Sequence, residues 1–231
     1  MIPVVENFIT HQGEGPNTGR LSRFIRFMGC PVGCSWCDTP YTWKPELTRN
    51  EPVDRWSREE LEHVMALGGI NHVVLTGGEP LIHAKAIRRP VLDALRENKA
   101  LTVEFETAGY HDPIFRHDRI GWRVSPKLSS ANHRMQKSVA EVMRSWLGGY
   151  GDEDMIFKVV VASDEDMTEL LDATREAKVP HDRVWLMPEG TTGDEADLAR
   201  GRAVQNWAIT YGMHFSFRTH VALHGGAKRL V

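Results

Sequence analysis

The chain has 231 residues, of which 41% are hydrophobic and 26% are charged, and its formal net charge is −3. This composition is ordinary for a globular protein, and the length supports one sizeable core, so a single domain over residues 1–231 is expected. The charge argues against a surface for nucleic acid or membranes. No apolar run approaches the roughly 20 residues of a membrane helix. The N-terminus lacks the pattern of a signal peptide, so a cytoplasmic location is expected.

Hydrophobic periodicity predicts strands that alternate with helices along the chain. The expected strands cover residues 2–10, 22–28, 72–76, 101–106, 120–124, 155–161, 183–186 and 213–217. The expected helices cover residues 57–67, 84–98, 138–147, 163–178 and 194–211, and residues 43–56 are expected to be irregular. Ser57 and Glu60 form a capping box at the start of the first helix. The alternation is typical of βαβ units and predicts a mainly parallel sheet.

The unusual residues are concentrated in the loops that follow the strands. These loops cover residues 10–19, 29–42, 76–80, 125–130 and 187–193. In parallel α/β folds, ligands bind at the carboxyl ends of the strands. The five loops are therefore expected to converge on one site.

All three cysteines lie in one loop, as Cys30, Cys34 and Cys37, with the spacing C-x3-C-x2-C. An odd number of closely spaced cysteines is not a disulfide framework and fits a reducing compartment. Thiolates are soft ligands, and an iron–sulfur cubane usually takes four of them. With three, one iron of a 4Fe–4S cluster stays open, which indicates chemistry rather than structural support. A structural zinc site with a histidine as fourth ligand is the alternative.

The cysteine spacing, with Thr76-Gly77-Gly78-Glu79-Pro80 about 40 residues later, resembles the radical S-adenosylmethionine (SAM) superfamily. The resemblance implies an α/β fold with a compact partial (β/α)6 barrel, a 4Fe–4S cluster on the three cysteines, and SAM on the open iron. The residues that it implies as SAM contacts are Trp36, Cys37, Asp38, Gly78, Glu79, Ser125, Pro126, Lys127, Met187, Pro188 and Glu189. Glycines allow close backbone approach and a carboxylate accepts from an ammonium, which suits the Gly-Gly-Glu-Pro loop to the amino group of SAM.

Two further motifs narrow the resemblance. The first is Gln12-Gly13-Glu14-Gly15-Pro16 followed by Arg26, and the second is Cys37-Asp38-Thr39-Pro40-Tyr41-Thr42-Trp43. With the loops already named, they resemble the 7-carboxy-7-deazaguanine synthase family of 7-deazapurine (queuosine-type) biosynthesis. The resemblance implies a carbon–nitrogen lyase that converts 6-carboxy-5,6,7,8-tetrahydropterin to 7-carboxy-7-deazaguanine with ring contraction and loss of ammonia. It also implies a homodimer and a separate electron donor.

The family's substrate and metal roles fall on residues whose chemistry suits them. The residues implied as substrate contacts are His11, Gln12, Gly13, Glu14, Arg26 and Thr76. An amide and a carboxylate match the donors and acceptors of a pterin edge, and a guanidinium pairs with a carboxylate through two hydrogen bonds. Thr39 is implied as a ligand of Mg²⁺, which prefers hard oxygen ligands.

Alternatives stay open for single residues and for the whole chain. Arg26 alternatively forms a salt bridge at a strand edge, Thr39 caps a turn, and Trp36 shields a cluster from water. A radical SAM activase, which generates a glycyl radical on a partner protein, shares the cysteine spacing but has no need of the polar residues around Gln12. No histidine has metal-site spacing, so none is given a catalytic role.

Overall fold

The computed structural model describes residues 1–49, 52–113, 115–151, 153–190 and 192–225. The strands within these ranges are β1 (Ile2–His11), β2 (Leu21–Phe27), β3 (Asp54–Trp56), β4 (His72–Gly77), β5 (Thr102–Thr107), β6 (Ile120–Val124), β7 (Asp154–Val161), β8 (Val184–Pro188) and β9 (His214–Phe215). The helices are α1 (Pro45–Thr48), α2 (Arg58–Ala66), α3 (Ala84–Glu97), α4 (Val139–Tyr150), α5 (Asp164–Ala177), α6 (Glu195–Tyr211) and α7 (Thr219–His224).

The strands form one sheet in the order β3-β1-β2-β4-β5-β6-β7-β8-β9. Strand β1 is antiparallel to both of its neighbours. Every neighbouring pair from β2 to β9 is parallel. Helix α2 packs against α3, α4 against α5, and α6 against β8. The predicted parallel α/β sheet is therefore confirmed, with a β1–β2 hairpin added at one side.

Local sequence signals explain where helices α2 and α4 begin. The Ser57 Oγ accepts a hydrogen bond from the Glu60 amide at 3.0 Å, and the Glu60 carboxylate accepts from the Ser57 amide at 2.6 Å. Ser138 and Glu141 make the same reciprocal pair at the start of α4. These capping boxes satisfy backbone donors that the helix leaves unpaired. Within the described ranges, no helix has both the length and the apolar character that crossing a membrane requires.

Side-chain alternation along the strands separates the core from the functional face. In β7, Phe157, Val159 and Val161 are fully buried in the hydrophobic core. Lys158 and Val160 point to the other face and line a cavity. Because successive strand residues face opposite sides, the core and the cavity are built by the same strands.

Two segments differ from the expectation. Residues 43–56 contain α1 and β3, and β3 pairs with the start of β1, where Ile2 lies opposite Trp56; positions 50 and 51 lie outside the described residues. Strand β9 covers two residues rather than 213–217, and just after it the Ser216 Oγ accepts a hydrogen bond from the distant Gly15 amide at 2.7 Å. Both features depend on distant partners, which local periodicity does not reveal.

Candidate active site

A cavity of about 490 Å³ lies at the carboxyl ends of the parallel strands. Its size is typical of a small-molecule site. The sequence-predicted residues that line it are His11, Gln12, Gly13, Glu14, Arg26, Cys30, Cys34, Trp36, Cys37, Asp38, Thr39, Thr76, Gly78, Ser125, Lys127 and Met187. The other predicted residues, Glu79, Pro126, Pro188 and Glu189, lie outside this lining. The strand-end loops therefore meet around one cavity, as expected.

The cysteine loop forms one wall of the cavity. Its backbone is fixed to the segment after β6, because the Ser35 amide donates to the Ala131 carbonyl at 2.9 Å. Burial raises the pKa of the Cys30 thiol to about 11 and also raises that of Cys34. Without a metal these thiols hold their protons, so a cluster must displace them on binding. Among the described residues, no three Cys, His, Asp or Glu side chains are already arranged around a metal position.

The corner beside the cysteine loop suits SAM. The Trp36 indole nitrogen is buried there without a hydrogen-bond partner in the described part of the chain. A buried donor without a partner costs free energy, so this atom fits a ligand that supplies an acceptor. Lys127 Nζ donates to Ser125 Oγ at 2.7 Å and lies 5.7 Å from the Trp36 ring centroid. Glu189, in contrast, pairs with Arg200 at 3.3 Å.

The Gly-Gly-Glu-Pro loop packs directly on the start of the cysteine loop. The Gly78 amide donates to the Phe27 carbonyl at 3.0 Å, and the Glu79 amide donates to the Gly29 carbonyl at 2.8 Å. The Glu79 carboxylate is fully buried and accepts from Thr107 Oγ1 at 2.7 Å. Burial raises the pKa of Glu79. In this structure the carboxylate connects the loop to the end of β5, and the loop presents Gly78 to the cavity.

A Gly78→Ala variant is expected to displace the cysteine loop. An ideal Cβ at Gly78 would lie 2.0 Å from the Gly29 carbonyl oxygen, so the backbone before Cys30 must move. We expect a loss of about 1–3 kcal/mol in the free energy of unfolding and a low iron content after reconstitution. Gly68→Ala is the matched control, because nothing lies within 4 Å of its Cβ position. Equal melting temperatures and iron contents in the two variants would contradict this assignment.

Gln12 is held in one orientation at the base of the cavity. Its Nε2 donates to Glu104 Oε1 at 2.5 Å and to Glu106 Oε1 at 3.2 Å. Its Oε1 accepts from the Glu14 amide at 3.2 Å. An amide oxygen can accept two hydrogen bonds, so Gln12 keeps acceptor capacity for a ligand N–H.

Lys158 places a buried positive charge between two carboxylates. Its Nζ donates to Glu14 Oε2 at 2.6 Å and to Glu106 Oε1 at 3.0 Å, and its side chain is 4% exposed. Burial acts to lower the pKa of Lys158, but the two carboxylates outweigh it and raise that pKa. Burial also acts to raise the pKa of Glu14, but Lys158 and Arg218 hold it well below its usual range. Glu14 is therefore an ionised hydrogen-bond acceptor facing the cavity.

The C-terminal segment closes the cavity over the two N-terminal loops. Arg218 Nε donates to Glu14 Oε1 at 3.0 Å, and its Nη2 donates to the Asp38 carboxylate. The His220 ring lies against Gly13, where an ideal Cβ would be 2.5 Å from its Nδ1. Burial acts to raise the pKa of Asp38, but Arg218 outweighs this effect and lowers it. The carboxylate of Asp38 is thus engaged by Arg218, although its residue lines the cavity.

Arg26 and Thr39 face the cavity from the side of β1 and β2. Arg26 Nε donates to Glu6 Oε2 at 2.6 Å, and the Tyr41 hydroxyl donates to the same oxygen at 3.0 Å. The strand salt bridge is therefore present, and the guanidinium lines the cavity as well. Thr39 contributes its carbonyl to the turn, accepting from Thr42 Oγ1 at 2.8 Å. Its hydroxyl lies 3.7 Å from Cys37 Sγ, and the residue lines the cavity.

Lys158, Glu106 and Arg218 also line the cavity, although no site role was predicted for them from the sequence. Lys158 lies within the apolar run of β7, and Glu106 lies in β5. Charged residues are rarely buried without a partner, so charges inside such strands were a usable signal. Arg218 follows β9, and its contacts with Glu14 and Asp38 become visible only in the folded chain.

Comparison with known proteins defines the class to which this chain belongs. The model of the radical SAM superfamily matches residues 24–200. The chain is a member of the radical SAM superfamily, and the predicted partial-barrel α/β fold is confirmed. A 4Fe–4S cluster and SAM are the cofactors of this class, so the zinc alternative falls away.

Relatives define the family more closely. A 7-carboxy-7-deazaguanine synthase from Rhodopirellula baltica is 36% identical over 97% of this chain and 87% of the relative. One from Pyrobaculum aerophilum is 34% identical over 98% of this chain and 96% of the relative. The crystal structure of QueE from Escherichia coli superposes with a TM-score of 0.68 at 28% identity, covering 95% of this chain and 94% of that one. The chain belongs to the 7-carboxy-7-deazaguanine synthase family.

Proposed function

We propose that this chain converts 6-carboxy-5,6,7,8-tetrahydropterin to 7-carboxy-7-deazaguanine, with ring contraction and loss of ammonia. One observation carries the proposal beyond family membership. The same cavity is lined by the three cysteines on one wall and by Arg26, Gln12 and Glu14 on the others. A glycyl-radical activase acts on a protein segment and has no use for this fixed polar set. The names of the relatives support the same conclusion.

The chain's own residues bind and orient the substrate in this proposal. Ionised Glu14 and the Gln12 carbonyl accept N–H groups from the aminopyrimidinone edge of the pterin. Arg26 pairs with the pterin carboxylate, with Glu6 fixing one end of the guanidinium. Thr76 of β4 lies beside Arg26 on the neighbouring strand, lines the cavity and contacts the ring. When bound, the cluster and SAM supply a 5′-deoxyadenosyl radical through one-electron cleavage of SAM.

Further features are proposed for the metal ion, the oligomeric state, the location and the electron donor. We propose a Mg²⁺ ion on Thr39, one domain, a homodimer, a cytoplasmic location and a separate, unidentified electron donor. Thr39 lines the cavity, and its turn uses the carbonyl and not the hydroxyl, which supports the metal position. Mg²⁺ keeps several waters and takes the remaining ligands from substrate oxygens.

The experiment that tests the function is an anaerobic turnover assay. Reconstituted protein receives dithionite, SAM, Mg²⁺ and 6-carboxytetrahydropterin, and mass spectrometry detects 7-carboxy-7-deazaguanine. We expect product only when every component is present. Formation of 5′-deoxyadenosine without product would contradict the pterin assignment while leaving superfamily membership intact. Activity that requires an added protein substrate would favour the activase.

We expect the turnover rate to depend on Mg²⁺ through the Thr39 hydroxyl. In a Thr39→Val variant the hydroxyl is replaced by a methyl group of similar size, so turnover should become slow and insensitive to added Mg²⁺. Thr48→Val is the control, because the exposed Thr48 hydroxyl bonds the Pro45 carbonyl within α1. Initial rates against Mg²⁺ concentration provide the measurement. A Thr39→Val variant with the wild-type Mg²⁺ response would rule out this ligand.

A further inference from the structure

Trp43 contacts a cluster ligand through its indole nitrogen. Its Nε1 donates to Cys37 Sγ at 3.4 Å, and the ring is half-buried at the cavity wall. The turn after the cysteines, in which the Trp43 amide donates to the Pro40 carbonyl at 3.2 Å, places the Trp43 ring beside Cys37. None of the roles derived above uses this contact.

Two cations flank the same ring. Arg134 Cζ lies 5.2 Å from the ring centroid, and Lys44 Nζ lies 5.4 Å from it. Arg134 is fixed to the cysteine loop because its amide donates to the Val32 carbonyl at 2.9 Å. Its side chain also lies over Gly33, where an ideal Cβ would be 3.0 Å from Nε. The loop therefore holds a guanidinium beside the indole.

Hydrogen bonds to cysteine sulfur and nearby positive charge both favour the reduced form of an iron–sulfur cluster. Reduction adds one negative charge to the cluster and its thiolates. An N–H donor on a thiolate withdraws electron density from it, and a cation on the ring face polarises the indole in the same direction. The Trp43 indole and its flanking cations therefore all favour one-electron reduction of the cluster.

We propose that Trp43, with Arg134 on its ring, is a positioning residue that raises the reduction potential of the 4Fe–4S cluster. The cluster takes up one electron from an external reductant, no bond is made or broken, and no proton moves. The inference rests on the superfamily's cluster and on these contacts, and it is independent of the pterin. It makes the electron uptake that precedes SAM cleavage easier for a weak donor.

The test is a redox titration of the reconstituted proteins with dithionite, followed by electron paramagnetic resonance of the reduced cluster. Trp43→Phe keeps an aromatic ring and removes the N–H. We expect the ratio of reduced to oxidised cluster at a fixed potential to fall about tenfold, which is about 59 mV for a one-electron couple. Arg134→Gln should shift the potential in the same direction, and Arg134→Lys should retain most of the wild-type value.

Trp56→Phe is the control, because Trp56 lies in β3 and pairs with Ile2 of β1. Its potential should equal that of the wild type. A Trp43→Phe protein with full iron content and an unchanged potential would overturn the proposal. If Trp43→Phe binds too little iron, the two Arg134 variants provide the test. Equal reduction potentials in Arg134→Gln and Arg134→Lys would then overturn the proposal. The reduction potential is measured without product formation, so a negative result in the pterin assay would not affect this proposal.

Discussion

A Cys34→Ala variant will carry no stable 4Fe–4S cluster and will neither cleave SAM nor form product. The chain has three cysteines, so no other thiol can replace the missing ligand. Loss of one of three ligands also removes the geometry that leaves a single iron open for SAM. Iron content, the visible absorption of the cluster and release of 5′-deoxyadenosine provide the measurement.

The matched control for this variant is Ser145→Ala on the exposed face of α4. Its iron content and rate should match those of the wild type. Melting temperatures of the metal-free proteins show whether Cys34→Ala is still folded, because the side chain belongs to the core cluster. A folded Cys34→Ala protein with wild-type SAM cleavage would refute the cluster assignment.

A Lys158→Met variant will lose affinity for the pterin and gain a pH dependence that the wild type lacks. Without Lys158, Glu14 and Glu106 face each other without the ammonium that both now contact at 3.0 Å or less. Two neighbouring carboxylates then retain a proton, which removes an ionised acceptor from the site. We expect KM for the pterin to rise roughly ten- to a hundredfold, the value of a charged hydrogen bond. Removal of one partner of a buried ion pair also costs about 3–5 kcal/mol in the free energy of unfolding.

The sign of the pH effect follows from the carboxylates. In the wild type, Lys158 and Arg218 hold the pKa of Glu14 well below its usual range despite its burial, so KM should stay flat from about pH 6 to pH 8. In the variant, rising pH removes the retained proton, so KM should fall as pH increases. Burial lowers the pKa of His220, so its charge contributes little in this range. Lys85→Met on exposed α3 is the control.

The kinetic readout separates this role from simple destabilisation. A purely structural role would reduce the amount of active protein and leave KM unchanged. The double variant Lys158→Met/Glu106→Gln removes the extra carboxylate and should recover stability if the pairing argument is right. A Lys158→Met enzyme with the wild-type KM for the pterin at every pH would contradict the assignment of Lys158 and Glu14 to the pterin-binding site.

Local sequence carries the parts of the site that lie in continuous loops. The cysteine loop, the Gly-Gly-Glu-Pro loop and the Gln12-to-Glu14 segment were predicted from neighbouring residues, and the structure places all three around one cavity. Hydrophobic periodicity likewise predicted the strands, since period-two patterning is a property of the local backbone. Family resemblance supplied the roles, because spacing alone does not name a substrate.

The pairing of charges could not be predicted in the same way. Lys158 and Glu14 are 144 positions apart, and Arg218 and Asp38 are 180 positions apart. Such pairs depend on which strands become neighbours and on which face each side chain occupies. Glu79 illustrates the same limit, because its motif suggested a SAM contact while folding directs its carboxylate to Thr107. The sequence identifies the loops, and tertiary structure decides which side chains face the ligand.

We infer that one cavity holds the cluster, SAM and the pterin together. The most direct measurement is an anaerobic crystal structure of reconstituted protein with SAM and 6-carboxytetrahydropterin. We expect a cluster on Cys30, Cys34 and Cys37, and a pterin whose ring edge contacts Gln12 and Glu14 while its carboxylate contacts Arg26. A structure with cluster and SAM in place, but with the pterin bound away from these residues, would contradict it.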